Sequence, residues 1–122
     1  MPHPFRAFEL IVLRAVLAEE FTPAQFGQIL EEAVANDVTY TGWGFYISMR
    51  HPLIGEARRL YSAPPALSAH STEGRIAGFM MILENQQLTL EIYPWDPPED
   101  GLPAEFRDSD VQIRPHKSAQ AI

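Results

Sequence analysis

Four histidines and sixteen carboxylates carry most of the chemistry open to this 122-residue chain. A metal site needs three or four convergent ligands. No two of His3, His51, His70 and His116 stand at a ligand spacing such as H-x-x-x-H. His51 and His70 could meet across neighbouring strands, near Glu56 or Glu73, but that falls short of a ligand set. All four are read as ordinary surface histidines. Nucleophilic catalysis needs an activated side chain beside a base and an orienting group. Cysteine is absent, the single lysine is Lys117 near the C-terminus, and no G-x-S-x-G elbow occurs. Ser68 and His70 are two residues apart, a chance spacing with no third member. Gly42 and Gly44 make no phosphate loop, because a third glycine is missing and the segment runs into a strand. A non-enzymatic protein without metal or cofactor is the expectation.

The carboxylates point instead to binding. Glu91 is the one acid placed mid-strand, beside Tyr93 and within reach of Arg50 across the sheet; on ordinary strand alternation it is a solvated residue of an exposed face. The most uneven charge follows it. Asp96, Glu99, Asp100, Glu105, Asp108 and Asp110 crowd residues 96–110, offset only by Arg107 and interleaved with Trp95, Leu102 and Phe106. Such a segment could clamp a basic groove, with aromatic anchors set among charges. Alternatively it is a solvated loop whose Trp95, Leu102 and Phe106 fold back onto the core. The net charge of −7 leaves no basic stripe for phosphate neutralisation, so nucleic acid and anionic membrane surfaces are disfavoured. A basic partner would be attracted at long range.

These residues need a scaffold. Apolar residues make up 46% and charged residues 20%, a globular composition. One α+β domain over residues 1–114 and a disordered tail over 115–122 are expected. Leu10 to Leu17 is interrupted by Arg14 and followed by Glu19-Glu20, unlike a secretory signal. No run approaches the roughly 20 apolar residues that span a bilayer. A soluble, cytoplasmic protein is the expectation.

Residues 4–19 read as a helix, with Phe8, Ile11, Val12, Ala15 and Val16 at amphipathic spacing and Pro4 in the first turn. Leu10, Leu13 and Leu17 broaden its apolar face. A strand over Glu9 to Leu13 is the less favoured alternative. Thr22 is the N-cap of a second helix, with Pro23 at its first position and Gln25 completing a capping box. Phe21 and Phe26 can form a hydrophobic staple around that cap. Phe26, Ile29, Leu30, Ala33 and Val34 form its stripe, and Asn36-Asp37 ends it. The period then changes to two over residues 38–50. Trp43, Phe45, Ile47 and Met49 share one face; Gly42, Gly44, Tyr46 and Ser48 share the other. Two glycines on one face mark either a bend or a close backbone approach. Short strands are read at Arg58 to Ser62 and Leu67 to His70, separated by Ala63-Pro64-Pro65. Ala104 to Arg107 can form one helical turn, and Val111 to Arg114 an edge strand.

Between them lies a hairpin. Ile76 to Leu83 has no polar residue, so both of its faces should be covered. Leu88, Leu90 and Ile92 alternate with Thr89, Glu91 and Tyr93 beyond the polar break Glu84-Asn85-Gln86-Gln87. The fold class that follows is α+β, with two N-terminal helices packed on one face of a mostly antiparallel sheet of four to five strands. The other face, with Tyr46, Ser48, Arg50, Thr89, Glu91 and Tyr93, would be open or would await a partner.

Several stretches together resemble a known kind of small bacterial protein. They are Phe8-Glu9 with Val12-Leu13, Tyr40-Thr41-Gly42-Trp43-Gly44-Phe45, Gly78-Phe79 through Glu84-Asn85, Leu88-Thr89-Leu90-Glu91, Tyr93-Pro94-Trp95, and Leu102-Pro103 before Phe106-Arg107-Asp108. The chain resembles single-domain proteins of about this length that are either uncharacterised or encoded as immunity proteins beside polymorphic toxins of contact-dependent and type VI secretion systems. The resemblance spans most of residues 5–113 and rests on structural motifs without a catalytic residue. It implies an inhibitor that binds its cognate toxin, usually over the toxin's active site. The expected partner-binding residues are Tyr46, Glu91, Tyr93, Trp95, Asp96, Glu99 and Asp100, facing a basic toxin domain. The alternative is a small-molecule or peptide-binding module on the aromatic face of Trp43, Tyr46, Tyr93 and Trp95. A monomer is expected, or a weak homodimer paired through Val111 to Arg114 or the first strand.

Overall fold

The computed structural model describes residues 3–62, 67–96 and 98–115. Helix α1, Ala7–Val16, is shorter than its apolar spacing predicts. It begins where the Glu9 carboxylate turns back to accept the Arg6 N–H at 2.8 Å. Pro4 therefore lies outside the first turn. Ile11 and Ala15, expected on the apolar stripe, are exposed. The buried stripe is rotated onto Phe8, Glu9, Val12 and Leu13, because Glu9 has a buried partner.

Helix α2, Pro23–Glu31, starts as predicted. Thr22 Oγ1 accepts from the Gln25 N–H, and Gln25 Oε1 accepts from the Thr22 N–H, so two otherwise orphaned donors are satisfied. Phe26, Ile29, Leu30 and Ala33 are buried. The helix ends before Asn36-Asp37, however. Ala35 takes φ 55°, and Val34, expected on the helix stripe, opens strand β1, Val34–Tyr40, on the surface.

Residues 38–50 are not one strand. The chain turns at residues 41–44 and pairs β2, Phe45–Arg50, antiparallel to β1. Gly42 takes φ 86° in that turn, and a Cβ on Gly44 would stand 2.4 Å from the Ile92 carbonyl oxygen. One glycine thus makes the bend and the other allows the close approach. Trp43 leaves the apolar face as a result and is 45% exposed.

Strands β3 (Arg59–Ser62) and β4 (Leu67–Ser71) both pair with β5 (Ile76–Glu84). The other edge of β5 is taken by β6, Gln87–Asp96. The proline turn predicted at 63–65 lies outside the described residues. Strand β7, Val111–Pro115, closes the far edge against β4 and takes in the first residue assigned to the tail; residues 116–122 lie outside the described residues. The order is β1-β2-β6-β5-β4-β7, with β3 also on β5. Among the described residues seven antiparallel strands replace the four to five expected, because residues 38–50 fold back on themselves and β3 and β4 pair separately with β5.

The β5–β6 hairpin turns at Asn85 and Gln86, both at positive φ (52° and 63°), the handedness that matches strand twist. Across β2, β6 and β5 the buried rows are in register: Phe45–Ile92–Phe79, Ile47–Leu90–Met81 and Met49–Leu88–Leu83. The helices cover this face, with the Phe8 ring 6.4 Å from the Phe79 ring. The opposite face of β5 is not covered as predicted: Met80 and Ile82 remain half-exposed.

Candidate interaction face

Strand alternation carries Tyr46, Glu91 and Tyr93 to the face that the helices leave open. Glu91 pairs in register with Tyr46 on β2 and with Met80 on β5. The Tyr46 hydroxyl donates to Glu91 Oε2 at 3.3 Å. The charge on Glu91 raises the Tyr46 phenol above its ordinary value, with a smaller contribution from burial. Tyr93 is raised mainly by burial and then by Glu91. A Cβ on Gly78 would collide with the Tyr93 ring at 2.6 Å, so that ring lies over the bare Gly78 backbone and covers a glycine strand position. Arg50 does not reach Glu91. It stands opposite Gln87 and donates to that side chain at 3.4 Å. Beyond Met80 the face continues through half-exposed Ile82 and exposed Leu60.

At the end of β6 the pairing slips between Ile76 and Ala77, and half-buried Trp95 stands in that irregularity. Asp96 pairs its backbone with Ile76; its side chain lies outside what is described. Glu99 and Asp100 are exposed on the 3-10 turn Pro98–Asp100. That loop is stitched to the β1–β2 turn. The Leu102 N–H donates to the Trp43 carbonyl at 2.8 Å, Tyr40 donates to the Leu102 carbonyl at 2.5 Å, and Arg75 donates to the Gly101 carbonyl at 2.6 Å. Leu102 and Phe106 are buried while Glu99, Asp100, Glu105, Asp108 and Asp110 are exposed, so the apolar residues fold back onto the core. Trp43 joins this end of the molecule, against Gly101. The pattern of alternating apolar residues hid it; its flanking glycines were the signal.

Arg107 is the basic residue within the acidic stretch 96–110. It is buried, and its Nε and Nη2 clamp Glu9 at 2.6 and 2.8 Å while Nη2 also donates to the Pro4 carbonyl at 2.9 Å. This pair ties the end of the loop to α1. Glu20, in the turn that follows α1, similarly ties that turn to β3, accepting from Tyr61 and Arg59; those bonds, Tyr61 first, hold its carboxyl below the ordinary value.

The histidines are dispersed. His51 is buried: Nδ1 accepts the Leu53 N–H, capping the 3-10 turn Pro52–Ile54, and Nε2 meets Glu32 at 2.7 Å. His70 lies on β4, with β6 and β5 between it and the end of β2. Ser68 and His70 do meet, Oγ to Nε2 at 2.8 Å, and Ser68 is fully buried. Among the described residues no group of three or more His, Asp or Glu could hold a metal, and no helix is long and apolar enough to cross a membrane. A cavity of about 270 Å³ opens between the helices, lined by Leu17, Phe21 and Phe26, with the Arg14 guanidinium 6.0 Å from the Phe26 ring centroid. No family model, curated protein or solved structure matches the chain.

Proposed function

We propose that this is a non-enzymatic binding protein, an immunity protein that neutralises a cognate bacterial toxin by direct contact. The observation that carries this most is the uncovered sheet face. It sets Glu91, in no ion pair among the described residues, amid Tyr46, Met80 and Tyr93, beside half-exposed Ile82 and exposed Leu60. Tyrosine and methionine are enriched at the centre of protein interfaces, and a carboxylate among them selects a partner that brings the opposite charge. The pinned acidic loop, with Trp95, Glu99 and Asp100, extends that surface. The resemblance to immunity proteins supports the same role, and the charge of −7 would draw in a basic toxin surface such as a nuclease groove. An immunity protein of this kind meets its toxin in the cytoplasm.

The test is co-expression with the C-terminal domain of a large secreted protein encoded beside this gene. The chain should restore growth and co-purify with that domain. Growth arrest that persists at full expression of the chain would count against the role. Protection that survives joint replacement of Tyr46, Glu91, Tyr93, Trp95, Glu99 and Asp100 by alanine would rule out the location. A small ligand is the second reading, and the interhelical cavity by Arg14 favours it, at a place other than the aromatic face. Its volume of about 270 Å³ is near the lower end for ligand pockets. Ligand-dependent NMR shifts at Phe21 and Phe26 would bear it out.

A further inference from the structure

Glu91 sits on β6, which is flanked on both sides by paired strands, so it lies well inside the sheet rather than at an edge. The one hydrogen bond to its carboxylate among the described residues comes from Tyr46, at Oε2; Oε1 is left to solvent or a partner. Two residues along the same strand, Tyr93 lies over Gly78, where even a methyl group would collide. The ring thus packs flat against the sheet, two residues along β6 from the carboxylate. The open-face guanidinium of Arg50 is held at Gln87 and does not neutralise Glu91.

Resting on the binding role proposed above, we infer that this frame recognises one arginine side chain of the partner, stacked on Tyr93 and hydrogen-bonded to Glu91. A guanidinium is planar, so it can lie on an aromatic ring and still donate in its own plane to a carboxylate. An ammonium has no such plane and holds its water more tightly. The arginine stem would run over Met80, as long cationic side chains use apolar surface. Ile82 and Leu60 would take the apolar residues beside that arginine.

The experiment is an NMR titration of the full chain with three probes: the amides of acetyl-arginine, acetyl-citrulline and acetyl-lysine. Acetyl-arginine amide should shift Tyr46, Glu91 and Tyr93 saturably. Citrulline has the same shape without the charge, and it should bind roughly tenfold more weakly or worse, the loss expected when a charge-assisted hydrogen bond becomes neutral. Glu91→Gln should weaken the arginine probe by a similar factor. Tyr93→Leu should abolish the preference for arginine over lysine. Equal binding of citrulline, an undiminished response in Glu91→Gln, or shifts centred on Glu99 and Asp100 would each overturn the inference. A toxin domain neutralised equally well by Glu91→Gln would overturn it too and leave the immunity role standing. Arginine binding at Glu91 without protection against any neighbouring toxin would instead sink the immunity role and leave the site.

Discussion

Replacing Glu9 by alanine would leave the Arg107 guanidinium buried with, among the described residues, a single acceptor, the Pro4 carbonyl. The wild-type carboxylate is fully buried and accepts three bonds, two from Arg107 and one from the Arg6 N–H. Breaking one side of a buried pair costs about 3–5 kcal/mol, because the remaining charge is stranded. Domains of this kind are stable by only about 5–15 kcal/mol, so a large share of the total would go. For a chain of 122 residues the melting temperature should fall by roughly 10–20 °C. The control is the double replacement Glu9→Met with Arg107→Met. Removing both charges for apolar groups of similar length removes the stranded charge as well, and should restore stability to within about 2 kcal/mol of wild type. Urea unfolding followed by circular dichroism measures all three proteins. The single variant should be little affected by added salt, since buried charges are weakly screened. A Glu9→Ala loss under about 1 kcal/mol, the range of an exposed pair, would refute the account. So would a double variant no better than the single.

Gly44→Ala would drive a methyl to 2.4 Å from the Ile92 carbonyl oxygen; backbone cannot swing aside, so about 1–3 kcal/mol should be lost, read as a lower urea midpoint. Gly78→Ala should instead push the Tyr93 ring off the sheet and expose its phenol. Since burial is the main cause of the raised Tyr93 pKa, that value should fall toward 10.0, followed at the ring by NMR. Glu20 supplies a pH dependence. Its folded pKa lies below 4.5, so the stability it contributes is complete above 4.5 and is lost as pH falls through the lower folded value. Tyr61→Phe removes the largest cause, and the drop in urea midpoint below pH 4.5 should shrink; an unchanged acid limb would count against the link.

What is local in this protein was legible from residue order. The Thr22–Gln25 capping box, the polar turn between β5 and β6, and the alternation of Leu88, Leu90 and Ile92 are set by neighbours a few residues apart. Alternation also put Tyr46, Glu91 and Tyr93 on one face without knowledge of strand order. The departures from residue order share a cause. Periodicity cannot tell a strand from a strand that turns back, so residues 38–50 read as one element and Trp43 reads as sharing a face with Phe45, Ile47 and Met49. Nor does it show that β3 and β4 pair one after the other along the same edge of β5, so a sheet of four to five strands is expected where seven are found among the described residues.

The sequence by itself determined the α+β class, the start of α2 and the central hairpin, because caps, turns and alternation act within a turn or a strand. Only the tertiary structure decided which charges are partners. Glu9 and Arg107 are 98 residues apart, and each alone looks like a surface residue. Only the fold could seat Tyr93 over Gly78, tie the acidic loop to Trp43, and leave Glu91 without an ion pair among the described residues. Those outcomes depend on strand register and on which groups are withdrawn from water, and neither is a property of any stretch of chain taken alone.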